Sequence, residues 1–296
     1  MTGTAPSAAP AGNAASAQAM QFIQALATEV SGAPINLPSY PEAALRVQRA
    51  LADPRSDAAK IAKVIGTEAV LAARVVNMAN SAARNMAGKP VADLRTAVGR
   101  VGLDALRSVT FSFAVGQLRN AANFKSIEKP MTALWQESVR IGAAANVLAR
   151  KFQLAPPDTA MLAGLMSGVG KLYILTRAQK YPALFGDPAS YADVVREWHP
   201  QVARSILENW TMAEEVVNAV ASFEDAHAEL RESVELADVL AVAVLLTSLL
   251  DAPDALQAQL PQDRAALRIG VMAHNCQEIV EEIKSQVDQL RRSMGA

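Results

Sequence analysis

A single cysteine, Cys276, and three histidines, His199, His227 and His274, stand among 296 residues. One thiol excludes an intramolecular disulfide and any cysteine-based zinc cluster, and it fits a reducing cytoplasm, the expected location. On its helix Cys276 reads as a small apolar filler. Lys plus Arg (28) nearly balance Asp plus Glu (29), for a net charge of -1. That balance gives no overall pull toward nucleic acid or anionic lipid, so neither is an expected partner. No GxxxxGKS/T loop, no GxGxxG behind a strand and no GxSxG elbow occurs, which leaves nucleotide hydrolysis by those routes unsupported. The longest late apolar run, Val239 to Leu250, is about twelve residues, whereas a membrane span needs about twenty. It reads as a buried core helix.

What the chain has in quantity is alanine and apolar residues, 51% of the total. These recur at three and four rather than two, so an all-α protein is expected. Residues 1–18, rich in Ala, Pro, Gly and Ser, are expected to be a disordered tail and not a secretory signal. Helices are predicted over Met20–Val30, from Ser39 as N-cap through Pro41 to Ala52, over Ala58–Gly66 behind Ser56 or Asp57, and from Thr67 as cap to about Asn80. Further helices are expected over Asp93–Arg100 and Leu103–Asn120. Those of the second half are Met131–Phe152, Asp158–Val169, Lys171–Lys180, Tyr191–Trp198, Pro200–Asn209, Ala213–Phe223, Glu232–Leu250 and Arg264–Met294. A polar connector at Lys125–Pro130 suggests an N-terminal helical subdomain over 19–128, a second over 129–262 and a C-terminal helix over 263–296. No fixed-period repeat is present.

Four stretches carry a resemblance. Leu37-Pro38-Ser39-Tyr40-Pro41-Glu42 is similar to a Leu-Pro-x-x-Pro-x opening, Ala72–Ala82 to a helix ending in Ala-Asn-Ser, and Val101-Gly102-Leu103-Asp104 to a Leu-Gly-Leu-Asp turn. The fourth, Met161–Leu172, is similar to the metal-binding helix of an HD phosphohydrolase with Ser167 and Gly168 in place of its His-Asp pair. In this order they resemble the HDOD family, the HD-related output domain of bacterial signalling proteins. The resemblance implies an all-α HDOD-like fold whose second subdomain is HD-like, and a regulatory output or scaffold role.

It also assigns metal positions. Glu137 stands where the first histidine would lie, Ser167 and Gly168 replace the pair, His199 falls at the next motif, Glu224 at a later histidine pair, and Asp238 at the last aspartate. A hydroxyl is a poor neutral ligand and glycine offers none, while divalent hydrolytic centres need several imidazoles and carboxylates converging on one point. The expectation is therefore no metal, no cofactor and no catalysis, with His199 in a structural role and His227 solvated.

Three functional readings follow. The first is a non-enzymatic signalling adaptor acting through protein partners. No receiver, kinase or GGDEF-like segment is read in the chain, so input is expected from a partner. The second is a diverged metal-dependent phosphohydrolase using Glu137, His199, Glu224 and Asp238. The third is a nucleotide sensor without turnover, for example of a cyclic dinucleotide, with Arg140 and Lys171 on phosphate. Candidate partner surfaces are the polar helix end with Asn77, Asn80, Ser81, Arg84 and Asn85, and a heptad seam through Ile269, Ala273, Cys276, Val280, Ile283, Val287, Leu290 and Met294 that could form a homodimer. The alternatives are that the polar residues satisfy backbone groups and that the first half of the seam packs on its own subdomain.

Overall fold

Residues 11–32, 35–86 and 88–294 are described by a computed structural model, and among them every regular element is a helix. The order is α1 (Ala11–Ser31), α2 (Glu42–Ala52), α3 (Ala58–Ile65), α4 (Ala69–Ala79), α5 (Leu94–Val101), α6 (Leu103–Arg119), α7 (Glu128–Phe152), α8 (Pro157–Met166) and α9 (Val169–Ala178). Then come α10 (Pro182–Phe185), α11 (Pro188–Asn209), α12 (Glu214–Ser222), α13 (Leu236–Ser248), α14 (Pro253–Gln259), α15 (Arg264–Ile269) and α16 (Ala273–Met294). The all-α expectation is met.

Local signals explain several boundaries. Asp57 accepts from Lys60 N at 2.8 Å and Asp93 from Thr96 N at 2.8 Å, each satisfying an orphan donor of the first turn. Others differ from the sequence reading. Ser39 has φ 58° and caps nothing, and α2 starts behind Pro41. Thr67 turns back to Val64 O at 2.8 Å, leaving Glu68 as the N-cap residue of α4. The expected tail is shortened, since α1 is helical from Ala11; residues 1–10 lie outside the described residues. Pro200 does not divide two helices but sits inside α11, because burial of Val194, His199, Val202 and Ile206 holds the helix together across the one backbone bond that proline removes. Gly270, at φ 85°, does divide α15 from α16. The short α10 and α14 escaped prediction.

α7 is the axis of the fold, in contact with α8, α13 and α16, while α6 joins α8 to α2 and α4. One apolar cluster runs from Phe22 to Leu290. α8 and α9 together form a 22-residue apolar stretch, Pro157–Ala178, whose 18-residue apolar window is 89% buried in the protein; its hydrophobicity is that of a core element. α1 packs on α10 and α11, fastened by Tyr173 Oη donating to Glu29 Oε2 at 2.5 Å and by an Arg177–Glu29 ion pair. Its position early in the chain therefore does not place it with the N-terminal helices.

The heptad seam is also corrected. Cys276, Val280, Ile283, Val287 and Leu290 are buried, because α16 lies along α7 and also reaches α4 and α6. Lys151 Nζ contacts Glu278 Oε1 at 2.6 Å and Arg150 pairs with Glu282, fixing the register. The seam is occupied within the chain at Ile269 and from Cys276 to Leu290, beyond its first half, so these positions are not a free dimerisation face. Ala273 is exposed and the Met294 side chain lies outside the described residues. Burial of Cys276 pushes its thiol pKa up, as a core filler requires.

Candidate functional site

The corner between α8 and α9 is made by Ser167 and Gly168. Ser167 is buried and its Oγ donates to Gly164 O at 2.8 Å, closing the last turn of α8. A Cβ on Gly168 would lie 2.7 Å from Ser138 Oγ on α7, so α7 passes directly over the corner. Beside it the remaining void, lined by Trp135, Ser138, Leu165 and Leu172, is about 10 Å³, the lower limit for one water. Ser138 was not singled out from the sequence, since its role depends on how close α7 comes.

Four charged or polar side chains converge next to this corner. Lys171 Nζ on α9 is 4.0 Å from Glu137 Oε1 on α7. It is also near enough to Glu224, after α12, to favour that carboxylate's charged form. Glu224 Oε1 in turn lies 2.9 Å from His199 Nε2 on α11. A carboxylate can only accept, so Nε2 carries the proton; Nδ1 has no partner in the buried interior. The structure thus brings together Glu137, Lys171 and His199 from three helices and Glu224 from the turn after α12. Arg140, one turn beyond Glu137, is half-buried without an ion pair among the described residues. Lys171 is already within 4.0 Å of Glu137, so a phosphate there would compete with that carboxylate.

Asp238 does not join this group. It is fully buried at the start of α13, where it accepts from Arg231 Nη1 (2.8 Å) and Nη2 (3.0 Å) and from Arg268 Nε (3.1 Å) and Nη2 (2.5 Å). It also accepts from Glu235 N at 2.8 Å. With these acceptor sites filled, Asp238 is a structural anion in an Arg-Asp-Arg triad, correcting its reading as a site remnant. His227 is likewise not simply solvated: Nδ1 lies 2.5 Å from Asp263 Oδ2. Among the described residues no three His, Cys, Asp or Glu side chains converge as metal ligands.

The polar helix end is mostly turned inward. Asn80 Nδ2 donates to Val91 O at 2.8 Å and its Oδ1 accepts from Val91 N at 2.7 Å. Ser81 Oγ donates to Met78 O. Arg84 donates to Val101 O at 2.6 Å and to Asp158 at 2.7 Å, and Asn85 Oδ1 accepts from Arg100. These side chains close a loop and latch it to α8, so Asn80, Ser81 and Arg84 are not a free docking surface. Asn77 remains exposed, with Met86 nearby at 93% exposure. Asp158 lies 74 positions from Arg84, beyond any local sequence signal.

The HDOD domain family model matches residues 37–226. This chain belongs to the HDOD family. The fold of this HDOD protein is similar to a Shewanella amazonensis SB2B protein provisionally named a metal-dependent phosphohydrolase, with TM-score 0.71, 28% identity, and coverage of 92% of this chain and 99% of that one. It is also similar to an HDOD domain protein of unknown function from Geobacter sulfurreducens, with TM-score 0.60 and 22% identity over 94% of this chain and 96% of that one. A curated uncharacterized protein of Treponema pallidum (strain Nichols) is 24% identical over 209 residues, 66% of this chain; the match spans 39% of that protein's length.

The His199–Glu224 pair has a pH signature. The hydrogen bond from His199, foremost, holds the Glu224 carboxyl below its ordinary value of 4.5, against the opposing effect of burial. A depressed carboxylate stabilises the fold fully above the unfolded value, and this contribution is lost as pH falls through the folded value. Glu224 is 44% exposed, so solvent screening keeps the effect small. Glu224→Gln is expected to flatten the stability loss below about pH 4.5. Urea midpoints measured on the acid side would check this; identical pH slopes in both proteins would refute it.

Proposed function

We propose that this HDOD protein is a non-enzymatic signalling or regulatory module that acts through contacts with other proteins. The observation that carries this reading is the Lys171 ammonium, 4.0 Å from Glu137 and beside Glu224. A divalent ion would need those same carboxylates, and a fixed cation among them puts like charges together. The neighbouring positions offer Ser167, whose hydroxyl is spent on Gly164 O, and Gly168, which has no donor. The residues present do not fit a bound divalent ion.

With that corner filled, the surface offers a contact region at Met86, Asn77 and Val70, all exposed on or beside α4. Loading the protein with Mn, Fe or Zn, followed by gel filtration and elemental analysis, is expected to leave well under one metal per chain, with no hydrolysis of a phosphodiester reporter. One retained equivalent, lost in both His199→Ala and Glu224→Gln, would overturn the proposal. Partner capture from cell extract should be lost in Met86→Asp and Val70→Asp while thermal unfolding is unchanged.

A further inference from the structure

Between the end of α4, the α7–α8 corner and the last turns of α16 lies a cleft of about 690 Å³, in the size range of small-molecule sites. It is separate from the Glu137–Lys171 group: Asn146, on its wall, is nine residues further along α7 than Glu137, about 13 Å at the rise of an α-helix. Its lining includes apolar Met78, Met161 and Leu290 and three side-chain amides, Asn146, Gln286 and Gln289. Asn146 Nδ2 donates to Pro157 O at 3.0 Å, whereas Gln286 and Gln289 have no hydrogen-bond partner among the described residues.

Two arginines and one aspartate line the cleft, Arg84, Arg150 and Asp158, and Glu282 balances the charge of Arg150. Arg84 is committed to Val101 O and Asp158. Arg150 is half-exposed and gives one guanidinium nitrogen to Glu282, which leaves further N–H donors facing solvent. Apolar side chains, amides able to donate and accept, and one under-used guanidinium describe complementary ligand features. These are a flat ring, a ring edge carrying both donors and acceptors, and an anionic group.

We propose that this cleft binds a small anionic effector with a planar heteroaromatic body. Its walls come from the loop after α4, from α7 and α8, and from α16, so an occupant touches both the Arg84–Asp158 latch and the α16 strap. Occupancy therefore changes how firmly these parts are held together, which goes beyond the absence of hydrolysis argued above and does not depend on it.

The test is calorimetric titration of the full chain with AMP and nicotinate as probes, with adenosine and inorganic phosphate as separate arms. Saturable binding of at least one probe with Kd below about 1 mM is expected, with adenosine and phosphate each about tenfold weaker than AMP if AMP is the binder. Gln286→Glu keeps the side-chain shape but adds a negative charge, and Arg150→Ala removes the guanidinium with its remaining N–H donors; each is expected to weaken binding about tenfold. Glu282→Gln breaks the same ion pair while freeing Arg150, so binding should be kept or tightened, separating ligand contact from loss of the strap. No saturable binding of either probe overturns the proposal. So does phosphate or adenosine binding as tightly as AMP, or affinity unchanged in both Gln286→Glu and Arg150→Ala. The metal content is indifferent to all of these outcomes, so failure here leaves the adaptor reading standing.

Discussion

Asp238→Ala is expected to destabilise the protein by about 3–5 kcal/mol, the cost of breaking a buried ion pair by removing one partner. Asp238 is fully buried, and Arg231 and Arg268 are only 14% and 8% exposed. Without the carboxylate two guanidinium groups face each other in a place that water reaches poorly. Arg268 also donates to Ala226 O at 2.5 Å and Glu229 O at 2.8 Å, so the triad joins α13 and α15 to the segment between α12 and α13. Chemical denaturation checks the prediction. Replacing Asp238, Arg231 and Arg268 together by apolar residues should cost less than the single change, because no charge is then left unpaired. A single-mutant loss under about 1 kcal/mol would show that the arginines rehydrate and that the triad is not a structural charge centre.

Gly170→Ala is the second large effect, expected to cost about 3 kcal/mol through overpacking. A Cβ at Gly170 would lie 2.1 Å from His199 O and 3.1 Å from Ala203 N. Both are backbone atoms of α11, which no rotamer change can move. α9 and α11 must separate, and α11 carries His199 away from Glu224. Gly168→Ala provides the contrast, since its nearest atom is Ser138 Oγ at 2.7 Å, a side chain that can turn aside; about 1 kcal/mol is expected there. Thermal unfolding of the two variants gives the comparison, and equal small losses would show that the α9–α11 contact yields freely.

Much of the molecule was legible from composition and spacing. Apolar residues at three and four specify helices without reference to the rest of the chain, and Asp57 and Asp93 cap their helices through bonds three residues away. Local signals were misleading where packing opposed them. Pro200 ends a helix by its own chemistry, yet α11 continues because both flanks are buried. The heptad seam of α16 describes a helix wanting a partner, and that partner proved to be α7 of the same chain. A period identifies a buried face but not what buries it.

The site divides along the same line. That Ser167 and Gly168 bring no imidazole or carboxylate is a matter of residue identity, wherever they are placed. The contact of His199 Nε2 with Glu224 Oε1 joins residues 25 positions apart. Sequence alone could not distinguish Asp238 from Glu224, two carboxylates at corresponding motif positions. One faces His199 and Lys171, the other two arginines. The fold class, the helix periods and the side-chain chemistry available at 167 and 168 were thus determined by sequence alone, because each rests on residue chemistry or on neighbours within a turn. Tertiary structure decided the Lys171 bridge, the Arg-Asp-Arg triad, the inward turn of Asn80 and Arg84, and the cleft under α16, because each depends on side chains brought together from separate elements.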